Sequence, residues 1–309
     1  METQMKNGEY LGRGIHDMKF AKSLMNGDLK QMLIVINKDK DLDVQIRKDY
    51  LNIYYKGGNI AKVNSEKSVE FDKFYFYLDI KETPTKDIRH DEIILNKLTS
   101  QRDILISKFK DGKYEDYFVN AKEIMDKWLN INPKPERMEQ HQLSIENQYN
   151  KSDYTIIDLE YQVSTLCDFA CSYISKGKDK SKKPRFDIIA INRQGKLCVI
   201  ELKKGTGALS DTSGLKEHWD CYEQSIGRNH QPFMIEMEKL LEQKQAFNLI
   251  DKQVKIKNPI PEFLFAYSYD DKKSNEEQDK AFQLEYNKVD ANANIKILKL
   301  PKGTSKLLD

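Results

Sequence analysis

One stretch constrains the fold of this chain more than any other. Residues 184–205 read PRFDIIAINRQGKLCVIELKKG. Two apolar runs, Ile188–Ile191 and Leu197–Ile200, flank the polar segment Asn192–Lys196, which contains Gly195. Short apolar runs on either side of a glycine-bearing turn predict a β-hairpin. Asp187 opens the first strand, and Glu201 and Lys203 close the second. Strand side chains alternate faces, so Glu201 and Lys203 share one face, roughly 7 Å apart along the strand. A two-, three- or four-residue turn places Asp187 opposite Leu202, Glu201 or Ile200 respectively. In the three-residue case two carboxylates face each other, which is destabilising unless a cation lies between them. Two acids and a lysine at the ends of apolar strands fit a metal site better than a packing solution.

The pattern resembles the PD-(D/E)XK nuclease superfamily. Here the Pro is displaced (Pro184, Arg185, Phe186, then Asp187), and the second half is Glu201-Leu202-Lys203. The resemblance covers roughly residues 136–268. It implies a restriction-endonuclease-like αβββαβ core with a central mixed sheet. It also implies Asp187 and Glu201 as metal ligands, the Leu202 carbonyl as a third, and Lys203 as the lysine that orients or deprotonates the attacking water. Mg²⁺ is the implied cofactor, with Mn²⁺ able to replace it. The first core helix of such proteins often carries an acid that faces the metal, and Glu136 and Glu139 are the candidates. The helix after the Glu-x-Lys strand often places polar groups near the scissile phosphate, for which Lys216, His218 and Tyr222 are available. Trp219 and Tyr222 fit core packing better. Glu160, in the strand before the hairpin, reads more plainly as an exposed edge residue.

An acid-x-Lys triplet means little alone. Asp28-Leu-Lys30, Asp79-Ile-Lys81, Asp111-Gly-Lys113, Glu242-Gln-Lys244 and Asp270-Asp-Lys272 also occur. Asp79-Ile-Lys81 is the serious rival, since Phe74–Leu78 reads as a strand. It lacks an apolar hairpin partner that opens on an acid.

The net charge of 51 − 49 = +2 excludes a wholesale polycation but leaves room for local basic patches. The densest is Ser175–Arg185, SKGKDKSKKPR. Such runs are usually solvated loops, yet this one ends two residues before Asp187. Lys182, Lys183 and Arg185, with Lys204 beyond the hairpin, are therefore candidates to grip a phosphate backbone. No apolar run is long enough for a membrane span, and no N-terminal signal pattern occurs. The four Cys form no obvious disulfide framework and no CxxC pair, which fits a reducing cytoplasm and disfavours a zinc site. Their spacing does not match an iron–sulfur arrangement. The five His form no ligand pair.

At 309 residues the chain fits one large or two ordinary domains. A helix is expected over His16–Met25, then strands at Gln31–Ile36, Leu42–Arg47, Leu51–Tyr55, Ile60–Val63 and Val69–Leu78. Helices follow near Asp91–Lys110 and Glu115–Leu129. Asn132-Pro-Lys-Pro135 breaks the chain. The expected division is an α+β domain over 1–132, of no recognised family, and a nuclease-like domain over 133–309. The second would run helix Glu136–Tyr149, strand Tyr154–Val163, hairpin, helix Leu215–Ile226, helix Phe233–Leu249, strand Phe263–Ser268, acidic loop, and strand Ile295–Leu300.

The fold class is mixed α/β. The leading functional expectation is a Mg²⁺-dependent deoxyribonuclease for restriction, phage defence or repair, with DNA as partner. The first domain would recognise DNA, a modification or a partner protein, or support a homodimer. The alternatives are a catalytically silent nuclease-like module that holds nucleic acid or protein, and a structural protein in which Asp187, Glu201 and Lys203 form an ion network.

Overall fold

The computed structural model describes residues 12–77, 91–163, 184–207, 209, 214–289, 293, 295–300 and 304–308. The chain divides into two compact units. The first holds Gly14–Ile145 and Ala246–Leu249, and the second takes in Arg13 and the described parts of Glu146–Gln245 and Ile250–Asp309.

In the first unit, α1 (Met18–Asn26) and α2 (Lys30–Lys38) precede an antiparallel sheet. Its strands are β1 (Leu42–Ile46), β2 (Tyr50–Tyr55), β3 (Gly58–Asn64) and β4 (Val69–Glu70), paired in that order. Helices α3 (Glu92–Lys110), α4 (Tyr114–Ile131) and α5 (Pro135–Glu146) follow. The stretch Gln31–Ile36 is helical, not a strand. Its buried residues are Met32, Leu33, Val35 and Ile36, a helical spacing that a short β-branched run disguises. The strand expected over Val69–Leu78 shrinks to two residues, because Asp72 caps a 3₁₀ turn at Lys73–Phe76 by accepting the Phe74 N–H. Leu78 and the Asp79 triplet lie outside the described residues.

The domain boundary also moves. Helix α5 belongs to the first unit, where Ser144 Oγ donates to Asp43 Oδ1 at 2.9 Å and His141 Nε2 lies 3.2 Å from the Tyr54 carbonyl. The prolines after Asn132 end α4 and start α5, with Pro135 at a first-turn position that needs no N–H partner. They do not separate domains.

The second unit is built on one mixed sheet. Its strands are β5 (Tyr154–Gln162), β6 (Arg185–Asn192), β7 (Lys196–Lys204), β8 (Asn258–Ser268) and β9 (Lys296–Leu300), adjacent in that order. The β5-β6-β7 pairs are antiparallel and the β7-β8-β9 pairs parallel. Parallel neighbours need long crossovers. Helices α6 (Leu215–Tyr222) and α7 (Gln231–Ala246) lie in the first, and α8 (Asn275–Tyr286) in the second. The acidic loop expected after Ser268 therefore contains a helix of 12 residues. Its start was marked by Ser274-x-x-Glu277, a capping box in which both reciprocal bonds are made.

Strand β7 is central, and every residue from Leu197 to Lys203 is buried. The hairpin turn between β6 and β7 has three residues, Arg193, Gln194 and Gly195. Gly195 takes φ 78° and its N–H donates to the Asn192 carbonyl at 2.9 Å. This is the glycine-closed form expected of a three-residue hairpin loop.

Candidate functional site

The turn length fixes the register, and the register assembles the site. Ile188 pairs with Ile200 and Ile189 with Val199. One residue further, Asp187 falls opposite Glu201, the two-carboxylate arrangement of the three expected registers. Asp187 Oδ2 accepts the Leu202 N–H at 2.9 Å, which ties the carboxyl to the facing strand.

Glu201 and Lys203 are 4% and 3% exposed, on the strand with neighbours on both sides. Lys203 Nζ lies 3.2 Å from Glu201 Oε1. His218 of α6 brings Nδ1 to 3.2 Å from that same oxygen. Glu201 Oε2 is buried and makes no hydrogen bond.

The electrostatics follow from burial. Loss of water around Asp187 pushes its carboxyl well above the usual range, and the Glu201 charge pushes it the same way. Glu201 is also raised by burial, against the pull of Lys203. His218 is depressed to about 3, first by burial and then by the Lys203 charge, so its imidazole is neutral. With two carboxylates, one lysine and a neutral histidine, the cluster lacks one positive charge when both acids are ionised. With Glu201 and Lys203 buried and Asp187 half-buried, that balance is costly unless a cation, or a proton on the raised Asp187 carboxyl, completes it. Two hard oxygen donors, one of them unpartnered, suit Mg²⁺ or Mn²⁺, which bind through few protein carboxylates and keep several waters.

Other expected site residues fall elsewhere. Glu136 is exposed and Glu139 half-buried on α5, which packs within the first unit. Among the described residues no group of three His, Cys, Asp or Glu is spaced to hold a metal ion. Tyr222 is buried, stacks on Phe263 at 4.9 Å and donates its hydroxyl to the Pro261 carbonyl. It is a core residue, not a nucleic-acid contact. Lys216 is exposed and ion-paired with Asp220. Arg185 is exposed at the start of β6, 3.6 Å from the half-buried Glu160. Lys204 ends β7, half-buried, in register with Ser268. Lys182 and Lys183 lie outside the described residues.

Two cavities are lined by none of Asp187, Glu201 and Lys203. One of about 430 Å³ lies by the hairpin turn among Arg193, Lys255, Lys257 and Tyr149, and one of about 720 Å³ lies in the first unit among Lys62, Phe71, Tyr75 and Arg102.

Sequence reading missed a second buried polar cluster in this unit. Arg13 Nε pairs with the fully buried Asp158 at 2.8 Å, and Arg13 Nη2 donates to the Glu160 carbonyl at 2.6 Å. The Arg13 N–H donates to Glu236 Oε1 at 2.6 Å, while the Tyr161 hydroxyl donates to Glu236 Oε2 at 2.7 Å. Strand β5 is an edge of the sheet, so Arg13 occupies carbonyls that would otherwise invite another strand. The only local signal was Asp158, an acid inside an apolar strand.

Cys221 is disulfide-bonded and Cys198 is a buried free thiol. Among the described residues no helix is long and apolar enough to cross a membrane. No protein-family model, characterised protein or solved structure matches the chain.

Proposed function

We propose that the second unit is a metal-dependent nuclease that hydrolyses phosphodiester bonds of DNA, in restriction, phage defence or repair. One observation carries the reading. Two acids oppose each other across a buried hairpin, with a lysine one step along the same face and one carboxylate oxygen left without a partner. The strand order supports it, because three antiparallel strands followed by a helix and a parallel strand are the βββαβ part of a restriction-endonuclease-like core. The leading helix of that core is not supplied by α5, which belongs to the other unit.

In this reading Asp187, Glu201 and the Leu202 carbonyl hold Mg²⁺. The ion supplies polarisation of a phosphate oxygen and a lowered pKa for bound water. Asp187 is held by the Leu202 N–H, so its second oxygen has a fixed direction. Glu201 is held at Oε1 and keeps Oε2 for the cation. Lys203 has three N–H donors and spends one on Glu201, which leaves the others to orient water or stabilise charge developing at phosphorus. Arg185, exposed at the start of β6, would meet the phosphate backbone in this reading.

The second reading, a nuclease-like module without turnover, draws on the absence of a third acidic or histidine ligand among the described residues. Cleavage of supercoiled plasmid and linear DNA with Mg²⁺ or Mn²⁺ separates the two. Wild-type protein is expected to cut, and Glu201→Ala and Lys203→Ala to lose on the order of 100-fold or more of the rate while remaining folded. Folded variants that cut like the wild type would refute the assignment. A wild type that neither cuts nor is stabilised by Mn²⁺ would favour the silent module.

A further inference from the structure

We infer that His218 is a positioning residue for Glu201: with Lys203 it holds one carboxylate oxygen, so that the other is presented to a divalent cation. The inference rests on the reading of Asp187 and Glu201 as metal ligands. His218 Nδ1 and Lys203 Nζ each stand 3.2 Å from Glu201 Oε1. Oε2 of the same carboxylate is buried with no hydrogen-bond partner. Both of these donors are therefore spent on the one oxygen, Oε1.

The chemistry of the pair assigns the tautomer. An ionised carboxylate only accepts, so the facing Nδ1 must carry the proton. The mechanics explain why a lysine alone is insufficient. Lys203 is two residues from Glu201 on the same strand and has a long, flexible stem, so the two side chains can swing together. His218 comes from a different element. Helix α6 is anchored by buried Leu215 and by Tyr222, whose ring stacks on Phe263 of β8. A short, rigid ring on a docked helix fixes where Oε1 sits, and the planar carboxylate then fixes Oε2. Outer partners that orient a metal ligand commonly govern affinity by 10–100-fold.

The test uses the full chain with His218→Ala, His218→Asn and His218→Gln. The Asn amide nitrogen falls near the place of Nδ1, whereas the longer Gln side chain carries its nitrogen past it. Mn²⁺ binding is measured by titration calorimetry without DNA, alongside the melting temperature of each variant and the kcat and KM for DNA cleavage. We expect His218→Ala to weaken Mn²⁺ binding by roughly tenfold or more, His218→Asn to recover most of it, and His218→Gln to recover little. The Mn²⁺ concentration for half-maximal cleavage should rise in parallel, with KM for DNA unchanged. Should the Ala variant fail to fold, the difference between Asn and Gln decides. Equal Mn²⁺ affinity in Asn and Gln variants, or a rise in KM for DNA with Mn²⁺ binding intact, overturns the inference while leaving the nuclease reading standing. A folded wild-type protein that binds no Mn²⁺ removes the underlying reading and this inference with it.

Discussion

If Asp187 and Glu201 are ligands held ready for a cation, then in its absence they must destabilise the fold, and Asp187→Asn should stabilise it. Opposed side chains on paired strands sit about 5 Å apart. At that separation two unit charges in an effective dielectric near 20 repel by about 3 kcal/mol. Lys203, 3.2 Å from Glu201, cancels part of this, so a net gain of about 1–2 kcal/mol is expected from removing the Asp187 charge. Asn keeps an oxygen to accept the Leu202 N–H, so no hydrogen bond need be lost. For a domain of this size the gain corresponds to a melting temperature higher by roughly 2–8 °C.

The pH dependence of this gain has a definite sign. Burial and the Glu201 charge raise the Asp187 carboxyl in the folded state above its ordinary value of 3.8. The folded protein therefore holds that proton more tightly than the unfolded chain. The stabilisation this gives the wild type is complete below the ordinary value and is lost as pH rises through the raised one. The advantage of Asp187→Asn should be larger at pH 8 than at pH 6 and vanish near pH 4. The assay is thermal denaturation at these pH values in chelator and again with Mn²⁺, which should raise the wild type and not the variant. An Asp187→Asn protein less stable than wild type at pH 8 in chelator would show that the acids do not repel, and the case for a cation site would go with it.

Three further substitutions test the framework in the second unit. Gly195→Ala should cost about 1–3 kcal/mol in urea denaturation, because φ is 78° and an added Cβ would meet the Lys255 carbonyl at 2.9 Å and Lys257 Cγ at 2.8 Å. Ser274→Ala should cost about 1 kcal/mol by removing the side-chain half of the α8 capping box, measured by the same unfolding curve. Tyr161→Phe should cost about 1–2 kcal/mol, since it strips the buried Glu236 of its hydroxyl donor. A neutral result there would mean that Arg13 alone satisfies Glu236.

The hairpin was legible because everything that specifies it is local. Two apolar runs, a glycine and the charged residues at their ends all fall within 22 positions. The sequence left three registers open, and the turn closed the choice. What could not be read was set by distant packing. Arg13 meets Asp158 and Glu236 across 145 and 223 positions, and no periodicity encodes that meeting. Helix α5 carries a plausible acid at each of two positions, yet its partners Tyr54 and Asp43 decide which unit it joins. Gln31–Ile36 failed for the opposite reason, since five apolar residues in six fit either period until burial of four of them shows which one governs. The capping box at Ser274 was local and readable, and only the acidic composition around it concealed the helix.

The position of Glu201 and Lys203 on β7 links the fold to the chemistry. On an edge strand the same residues would face water on one side, and their charges would be screened and mobile. On β7 these residues pair in parallel with β8, while the antiparallel ladder with β6 ends at Ile188–Ile200 and the Leu202 N–H donates to Asp187 Oδ2 instead. Burial and the β8 pairing hold Glu201 and Lys203 in place, and the low dielectric strengthens the charge interactions they make. That arrangement is unfavourable for an empty pair of acids and favourable for a pair that shares a cation. It also depends on register, because a slip of one residue would turn Glu201 and Lys203 to the other face. The three-residue turn at Arg193–Gly195 lies about 17 Å along the strand from Asp187 and touches none of the chemistry, yet it determines that Asp187 faces an acid and not Leu202 or Ile200.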